Sequence, residues 1–268
     1  MSGGTYGKAG CVWLALLLSA CAREAPLVIA STTSLDDTGL LGQLVTAYQQ
    51  VAPGTQVQVI AVGSGQALEL GRRGDADIVI AHSPKAESTF VAEGYSAARC
   101  TIAQNSFLLV GPSSDSAGVQ GSTDVVDAFR KIAGAGQRFV SRGDHSGTHE
   151  RETSIWQRTG VQPGPPWYLS IGQGMSETLL HAHEQQAYTL TDIATYAQLR
   201  RRIQLVPMVT QDPLLLNRYS VILPRPRRRP ANAQLFEWLS GPQAKQILGD
   251  FRVEGEQVFT PLERPVCH

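Results

Sequence analysis

Residues 140–153 read VSRGDHSGTHERET. Arg142, Asp144, His145, Ser146, Thr148, His149, Glu150 and Glu152 crowd there around Gly143 and Gly147. Such a set could serve a hydrolase, a metal centre or a cradle for an anion. Asp144, His145 and Ser146 are the right types for a hydrolytic triad, but they are consecutive, and a triad works only when each side chain faces the next. The run Gly143-Asp144-His145-Ser146-Gly147 also misses the Gly-x-Ser-x-Gly spacing of a nucleophile elbow. His145 and His149 are four apart, yet the motif is not His-Glu-x-x-His, and the expected helix starts between them. No catalytic residue and no metal ligand is therefore assigned. The third chemistry suits these residues better. Arg142 offers a rigid fork of donors to an oxyanion, Ser146 and Thr148 offer hydroxyls, and the glycines let the backbone come close. Glu150 and Glu152 suit the first turn of a helix, where negative charge meets the dipole.

The surrounding pattern says where such a cradle sits. Residues 27–30 form a β-branched apolar run, followed by STTSLDD and then by Leu40, Leu41, Leu44, Val45 and Tyr48 at helical spacing. Asp36 and Asp37 read as dipole partners of that first helix. VQVIAV (57–62), the break GSG (63–65), a helix through Ala67, Leu68 and Leu70, and a strand at 78–81 come next. The alternation restarts after Cys100, with strands at 106–112 and 138–141, a helix at 124–133, and further elements around YLSIGQG, AYTLT and YSVILP. One last amphipathic helix is expected over about 232–248. Strands alternating with helices predict an α/β fold with a mostly parallel sheet. STTS, GSG, SRGDHSGTH and GQGMSE each follow a strand and open a helix. In a parallel sheet those turns all lie at the carboxyl ends of the strands, where such sheets bind ligands. Helix N-termini there present free N–H groups and partial positive charge. One such turn alone would be an ordinary N-cap; four, from two α/β segments and joined by one arginine, read as one anion site.

STTSLDDTGLL, VGSGQALELGRRGDADIVIAHSP, SRGDHSGTHERE and GQGMSETL with AYTLTDIATY resemble, in this order, the tungstate-binding proteins of bacterial ABC uptake systems. The resemblance runs from about Leu27 to the C-terminus. It implies a two-lobed periplasmic binding protein fold (type II) with the ligand cleft between lobes, a tungstate or molybdate oxyanion as ligand, no cofactor, and a membrane permease as partner. Carried over by position, it implies Thr32, Thr33, Ser34, Ser64 and Gly65 as ligand-binding in the first lobe, and Arg142, Ser146, Gly147 and Thr148 in the second. Backbone N–H groups near Gly174 and Met175, with Thr189, would close the ring. Ser176 departs from the pattern, where a second glycine is expected. Relatives of this fold that bind molybdate, sulfate or phosphate are the alternatives; a signalling module or a hydrolase is the alternative of another class. Asp144 bears on the choice. Phosphate keeps a proton at neutral pH and gains from an acceptor carboxylate, whereas tungstate, molybdate and sulfate need only donors. Asp144 turned onto Arg142 or the backbone would make a donor-only site.

The remaining features set the compartment. The chain has 268 residues, 42% hydrophobic, and zero formal net charge. That length suits one large or two small domains, and the balance gives no global field for nucleic acid. The basic runs at 200–202 and 225–230 read as solvated surface. Lys8 precedes the apolar run 12–18, too short to span a bilayer, and Leu18-Ser19-Ala20-Cys21 resembles a lipobox. The expectation is a lipoprotein signal peptide over 1–20, lipidation at Cys21, a tether over 21–26, and a monomer in the periplasm or at the cell surface, anchored to a membrane. An ordinary secretory signal is the alternative. Export leaves Cys100 and Cys267 as an even pair in an oxidising compartment; a disulfide between them is expected, with two separate buried thiols as the alternative. The expected lobes are 27–103 plus 226–268, and 104–225.

Overall fold

The computed structural model describes Met1, Gly3, residues 25–226 and residues 229–268. The expected signal peptide and Cys21 lie outside the described residues. The first lobe opens with β1 (Leu27–Thr32), α1 (Thr33–Asp37), α2 (Leu40–Val51), β2 (Val57–Val62), α3 (Ser64–Arg73), β3 (Ile78–Ala81) and α4 (Pro84–Ala92). β4 (Ser96–Pro112) then leads into α5 (Val125–Gly134), β5 (Phe139–Ser141), α6 (Gly147–Thr159), β6 (Tyr168–Ser170), α7 (Met175–Glu184), β7 (Thr189–Asp192), α8 (Ile193–Leu199) and β8 (Leu205–Val209). β9 (Leu216–Pro224) brings the chain back to α9 (Pro230–Leu239), α10 (Pro242–Asp250), β10 (Arg252–Val253), β11 (Glu256–Gln257) and β12 (Thr260–Cys267).

Among the described residues the main sheet runs β12-β4-β9-β3-β1-β2, with β7 and β8 also paired to β4. β1 pairs in parallel with β2 and β3, and β5 with β6. The expectation of a mostly parallel sheet needs correction at β4 and β9. β9 runs antiparallel to both β3 and β4. The reason is connectivity: the chain leaves the first lobe on one long strand and returns on another, so the two must oppose. Ser96 to Ser106 of β4 pairs with β9, and Phe107 to Pro112 pairs with β7 and β8. The crossing thus falls at Ser106–Phe107 on the way out and near Leu216 on the return. The expected return at 225/226 is displaced, because all of β9 is laddered into the first lobe.

Each lobe has its own core. Leu27, Ile29, Leu41, Leu44, Tyr48, Tyr219, Leu235 and Phe259 fill one side of the first-lobe sheet, and Leu68, Val79, Phe90 and Ile222 the other. Phe107, Phe129, Phe139, Trp156 and Tyr188 form the aromatic heart of the second lobe. Ala194 and Ala197 of α8 join the first-lobe core although α8 follows a second-lobe strand. The single helix expected over 232–248 is two helices, α9 and α10, split at Gly241-Pro242. Proline has no N–H to continue the ladder and clashes with the preceding turn. Cys100 and Cys267 face each other in the β4–β12 ladder and are bonded as a disulfide, with their Cα atoms 4.1 Å apart. No helix among the described residues is long and apolar enough to cross a membrane.

Candidate functional site

Three helices of at least ten residues begin where the two lobes meet. Gly63 caps α3, Ser146 caps α6 and Gly174 caps α7, each in extended backbone. The first N–H groups of each helix have no partner within it. The lobes approach closely here. A Cβ on Gly63 would lie 3.6 Å from Ser146 Cα, and one on Gly65 3.4 Å from the His145 carbonyl. A Cβ on Gly147 would lie 2.6 Å from the His82 carbonyl oxygen, so only glycine fits between the lobes at that position.

The turn before α6 is shaped by two left-handed residues, Gly143 (φ 64°) and His145 (φ 58°). A side chain at Gly143 would run into the Ser170 hydroxyl. The turn aims Arg142 inward, where it is 3% exposed. Arg142 Nη2 donates to Asp144 Oδ2 at 2.5 Å, and Asp144 Oδ1 accepts from the Ser146 N–H at 3.2 Å. Both oxygens of Asp144 are thus turned onto the turn itself. Arg142 Nε and Thr148 Oγ1 are buried with no protein partner. A guanidinium edge, a hydroxyl and helix N-terminal N–H groups make a set that donates and hardly accepts.

The sequence-predicted residues divide as follows. Thr32, Ser34, Ser64, Ser146, Gly147 and Thr148 are buried at this junction, with Thr33 and Gly65 beside them. Thr32 and Ser34 share a hydroxyl hydrogen bond of 3.2 Å. Ser64 Oγ accepts from the His82 N–H at 3.2 Å. Met175 is fully buried in the second-lobe core, so only its N–H is left for a ligand. Thr189 departs from expectation: its hydroxyl donates to the Val140 carbonyl at 2.7 Å, tying β7 to β5 and leaving no side-chain proton for an anion. Ser176 donates across the lobes to Asp37 at 3.4 Å.

Sequence reasoning missed a buried layer behind the site. His82, at the carboxyl end of β3, donates from Nδ1 to Asn217 at 3.0 Å and stacks on Tyr219. Burial, with Arg142 adding to it, pushes its pKa down to about 4, so it is neutral at ordinary pH. Asp192 caps α8 by accepting from Ala194 N, Thr195 N and Thr195 Oγ1. The signal for His82 was its place, directly after a strand like the four polar turns. Asp192, within AYTLTDIATY, and Tyr219, between Arg218 and Ser220, carried no signal of this layer, since what they bond to is set by distant elements.

Glu152, in the same helix as Thr148, accepts from Tyr168 Oη at 2.7 Å and Trp156 Nε1 at 3.2 Å. Burial pushes its pKa up to about 7 from the ordinary 4.5. The fold therefore keeps a proton that the unfolded chain has lost between those pH values. Its contribution to stability is full below pH 4.5, falls as pH rises through the interval, and stays reduced above 7. Glu152→Gln, which keeps the accepting oxygen, is expected to gain on the wild type by on the order of 2–3 kcal/mol between pH 4.5 and 8. Urea unfolding at both pH values measures this; parallel pH dependence in the two proteins would refute it.

Two lobes joined by two antiparallel strands, with helix N-termini converging at their junction, define the type II periplasmic binding protein fold; the relatives that share it are substrate-binding proteins and not enzymes. A family model described as a PBP superfamily domain matches residues 19–242. The chain is 36% identical, over 92% of its length and 94% of the relative's, to the "Tungstate-binding protein TupA" of Peptoclostridium acidaminophilum. It resembles the crystal structure of "the tungstate ABC transporter" from Geobacter sulfurreducens (TM-score 0.75, 37% identity, covering 84% of this chain and 98% of that one). It also resembles the structure of "Tungstate binding protein - TupA" from Desulfovibrio alaskensis G20 (TM-score 0.74, 38% identity, 89% and 99% covered). The chain belongs to the PBP superfamily and, within it, to the family of these tungstate-binding proteins.

Proposed function

We propose that this chain is the extracytoplasmic solute-binding component of an ABC importer and that its ligand is tungstate. The observation that carries the reading is the buried Arg142 guanidinium, whose Nε has no protein partner, beside the unpartnered hydroxyl of Thr148. A fully ionised tetrahedral dianion would satisfy both, and Asp144, held by Arg142 and the Ser146 N–H, offers it no competing acceptor. Hydrogen phosphate is disfavoured for the same reason. Sulfate has shorter bonds and would fill the same donors less well. Tungstate is preferred over molybdate on the names of the relatives. The proposed ligand set is Thr32, Thr33, Ser34, Ser64 and Gly65 from one lobe, and Arg142, Ser146, Gly147, Thr148 and the Met175 N–H from the other; Thr189, the first residue of β7, ties that strand to β5 behind the site. Isothermal calorimetry of the mature chain with tungstate, molybdate, sulfate and phosphate tests the reading. Tight binding of tungstate and molybdate with weak sulfate and phosphate is expected; tight phosphate binding would overturn it.

The importer context further implies export, a membrane permease as partner, and a monomer held at the membrane by lipid on Cys21. A lipid-carrying N-terminal cysteine keeps the protein at the surface where the permease sits. Cys21→Ser is expected to block processing or to release the protein into the soluble fraction; an unmodified mature N-terminus at another residue, found by mass spectrometry, would remove the anchor from the proposal.

A further inference from the structure

The lobes also meet through a side-chain contact that the ligand set does not use. Ser83 stands at the N-cap of α4 in the first lobe, yet its hydroxyl makes no hydrogen bond to that helix. Its N–H donates to Glu87 Oε1 at 2.9 Å, so one half of the cap is complete within the first lobe. The other half is turned away. An N-cap serine ordinarily accepts from an N–H in the first turn of its own helix; Ser83 Oγ instead donates across the boundary to Glu150 Oε2, in the first turn of α6. Ser83 is buried and Glu150 half-buried. The contact lies on the edge where the lobes fit most tightly, since Gly147 of α6 leaves no room for a Cβ beside the carbonyl of His82, the neighbour of Ser83. A cavity of about 490 Å³ adjoins it, with Gly65, Ser83, Lys85, His145, His149 and Glu150 in its wall. Gly65 is in the proposed ligand set, so the contact borders the anion site. A second contact across the boundary, from Ser176 to Asp37, is exposed and long at 3.4 Å.

We propose that Glu150 and Ser83 are positioning residues that latch the cleft: their hydrogen bond forms when α6 meets α4, touches no anion, and slows the reopening that lets the anion leave. This rests on the proposed function in that an oxyanion occupies the cleft. The anion enters before the contact forms, so loss of the contact leaves the encounter unchanged and falls on the off-rate. On opening, Ser83 can turn its hydroxyl back to the first turn of α4, and Glu150 returns to water, so neither group is left unpaired. The latch is therefore worth one modest hydrogen bond, enough to lengthen the residence of the anion and too little to lock the lobes. Its working part is the accepting oxygen. Burial raises the Glu150 pKa above its ordinary value, so an amide at this position keeps the oxygen and avoids burying a charge.

The test is rapid-mixing measurement of tungstate association and dissociation on the wild type, Glu150→Ala, Ser83→Ala, their double variant and Glu150→Gln, with Ser176→Ala as a control. Glu150→Ala is expected to speed dissociation roughly three- to tenfold and to leave association within about twofold. Ser83→Ala should act in the same direction, and the double variant should dissociate no more than about twofold faster than Glu150→Ala, because the two residues make one contact. Glu150→Gln and Ser176→Ala should both stay within about twofold of the wild type. Ser83→Ala keeps the N–H that Glu87 accepts, so it carries the test even if Glu150→Ala fails to fold. Dissociation unchanged in Ser83→Ala, multiplied effects in the double variant, or Glu150→Gln as fast as Glu150→Ala would each overturn the latch. So would slowed association with unchanged dissociation, which would make Glu150 part of the entry surface. A wild type that binds no tungstate would instead overturn the choice of ligand, and the same rates with molybdate would then test the latch.

Discussion

Arg142→Ala is expected to lower the affinity for tungstate by roughly 30-fold to several-thousand-fold, more than the loss of any single hydroxyl. Arg142 is a whole positive charge in a site whose other donors carry only partial charge, and it is almost wholly buried. Removing one member of a buried, hydrogen-bonded charge pair typically costs ~2–5 kcal/mol, against about 0.5–1.5 kcal/mol for a neutral hydroxyl. The structure adds a second effect of the same sign. Asp144 is held by Arg142 at 2.5 Å; without that partner its carboxylate is free to take the N–H groups the anion needs. Arg142→Ala should therefore bind more weakly than the double variant Arg142→Ala with Asp144→Ala. Arg142→Lys should recover part of the loss, because it keeps the charge and gives up the fork. Calorimetry on folded variants decides. An affinity within about threefold of wild type for Arg142→Ala, a change well under 1.4 kcal/mol, would mean that Arg142 serves only its pair with Asp144.

The second large effect is expected on stability and not on binding. Cys100 and Cys267 close a loop with a sequence separation of 167. In the chain-entropy model a loop of that length stabilises the fold by about 5 kcal/mol, by restricting the unfolded chain. For a domain of this size that corresponds to a fall in unfolding midpoint of roughly 10–20 °C when both cysteines become alanine. Tungstate affinity should stay within about twofold (~0.4 kcal/mol), because β12 is the edge strand of the first-lobe sheet, on the side away from β1 and β2. Thermal unfolding with and without reductant, beside the double alanine variant, checks this. A midpoint unmoved by reduction would show that β12 is held by its ladder alone.

The strand-turn-helix order of both lobes was legible because it is local. Alternating apolar runs and polar turns dictate β1-α1, β2-α3, β5-α6 and the start of α7 without reference to anything distant. Helix N-termini must lie at the carboxyl ends of such strands, so the four turns, and Arg142 within one of them, could be placed there from spacing; a cleft between two lobes came only from the resemblance. The even pair of cysteines followed from arithmetic. The split of the last helix was also written locally, in Gly241-Pro242, and was overridden in the reading by the apolar stripe on either side. What sequence could not supply was everything that depends on residues far apart meeting. Which chain crossing is antiparallel, and that β9 belongs wholly to the first lobe, depends on pairing between strands over a hundred residues apart. The direction in which Asp144 faces is a choice between rotamers, made when Arg142 and the Ser146 N–H arrive together. Thr189 looked like a ligand by type, but its proton goes to Val140 because β5 packs beside β7. His82, Asn105, Asn217 and Tyr219 lie in apolar or unremarked stretches, and they become one hydrogen-bonded chain only where the two joining strands run side by side. Composition and periodicity determine which groups a chain can offer; only the packed structure decides which of their protons and lone pairs are still free to meet a ligand.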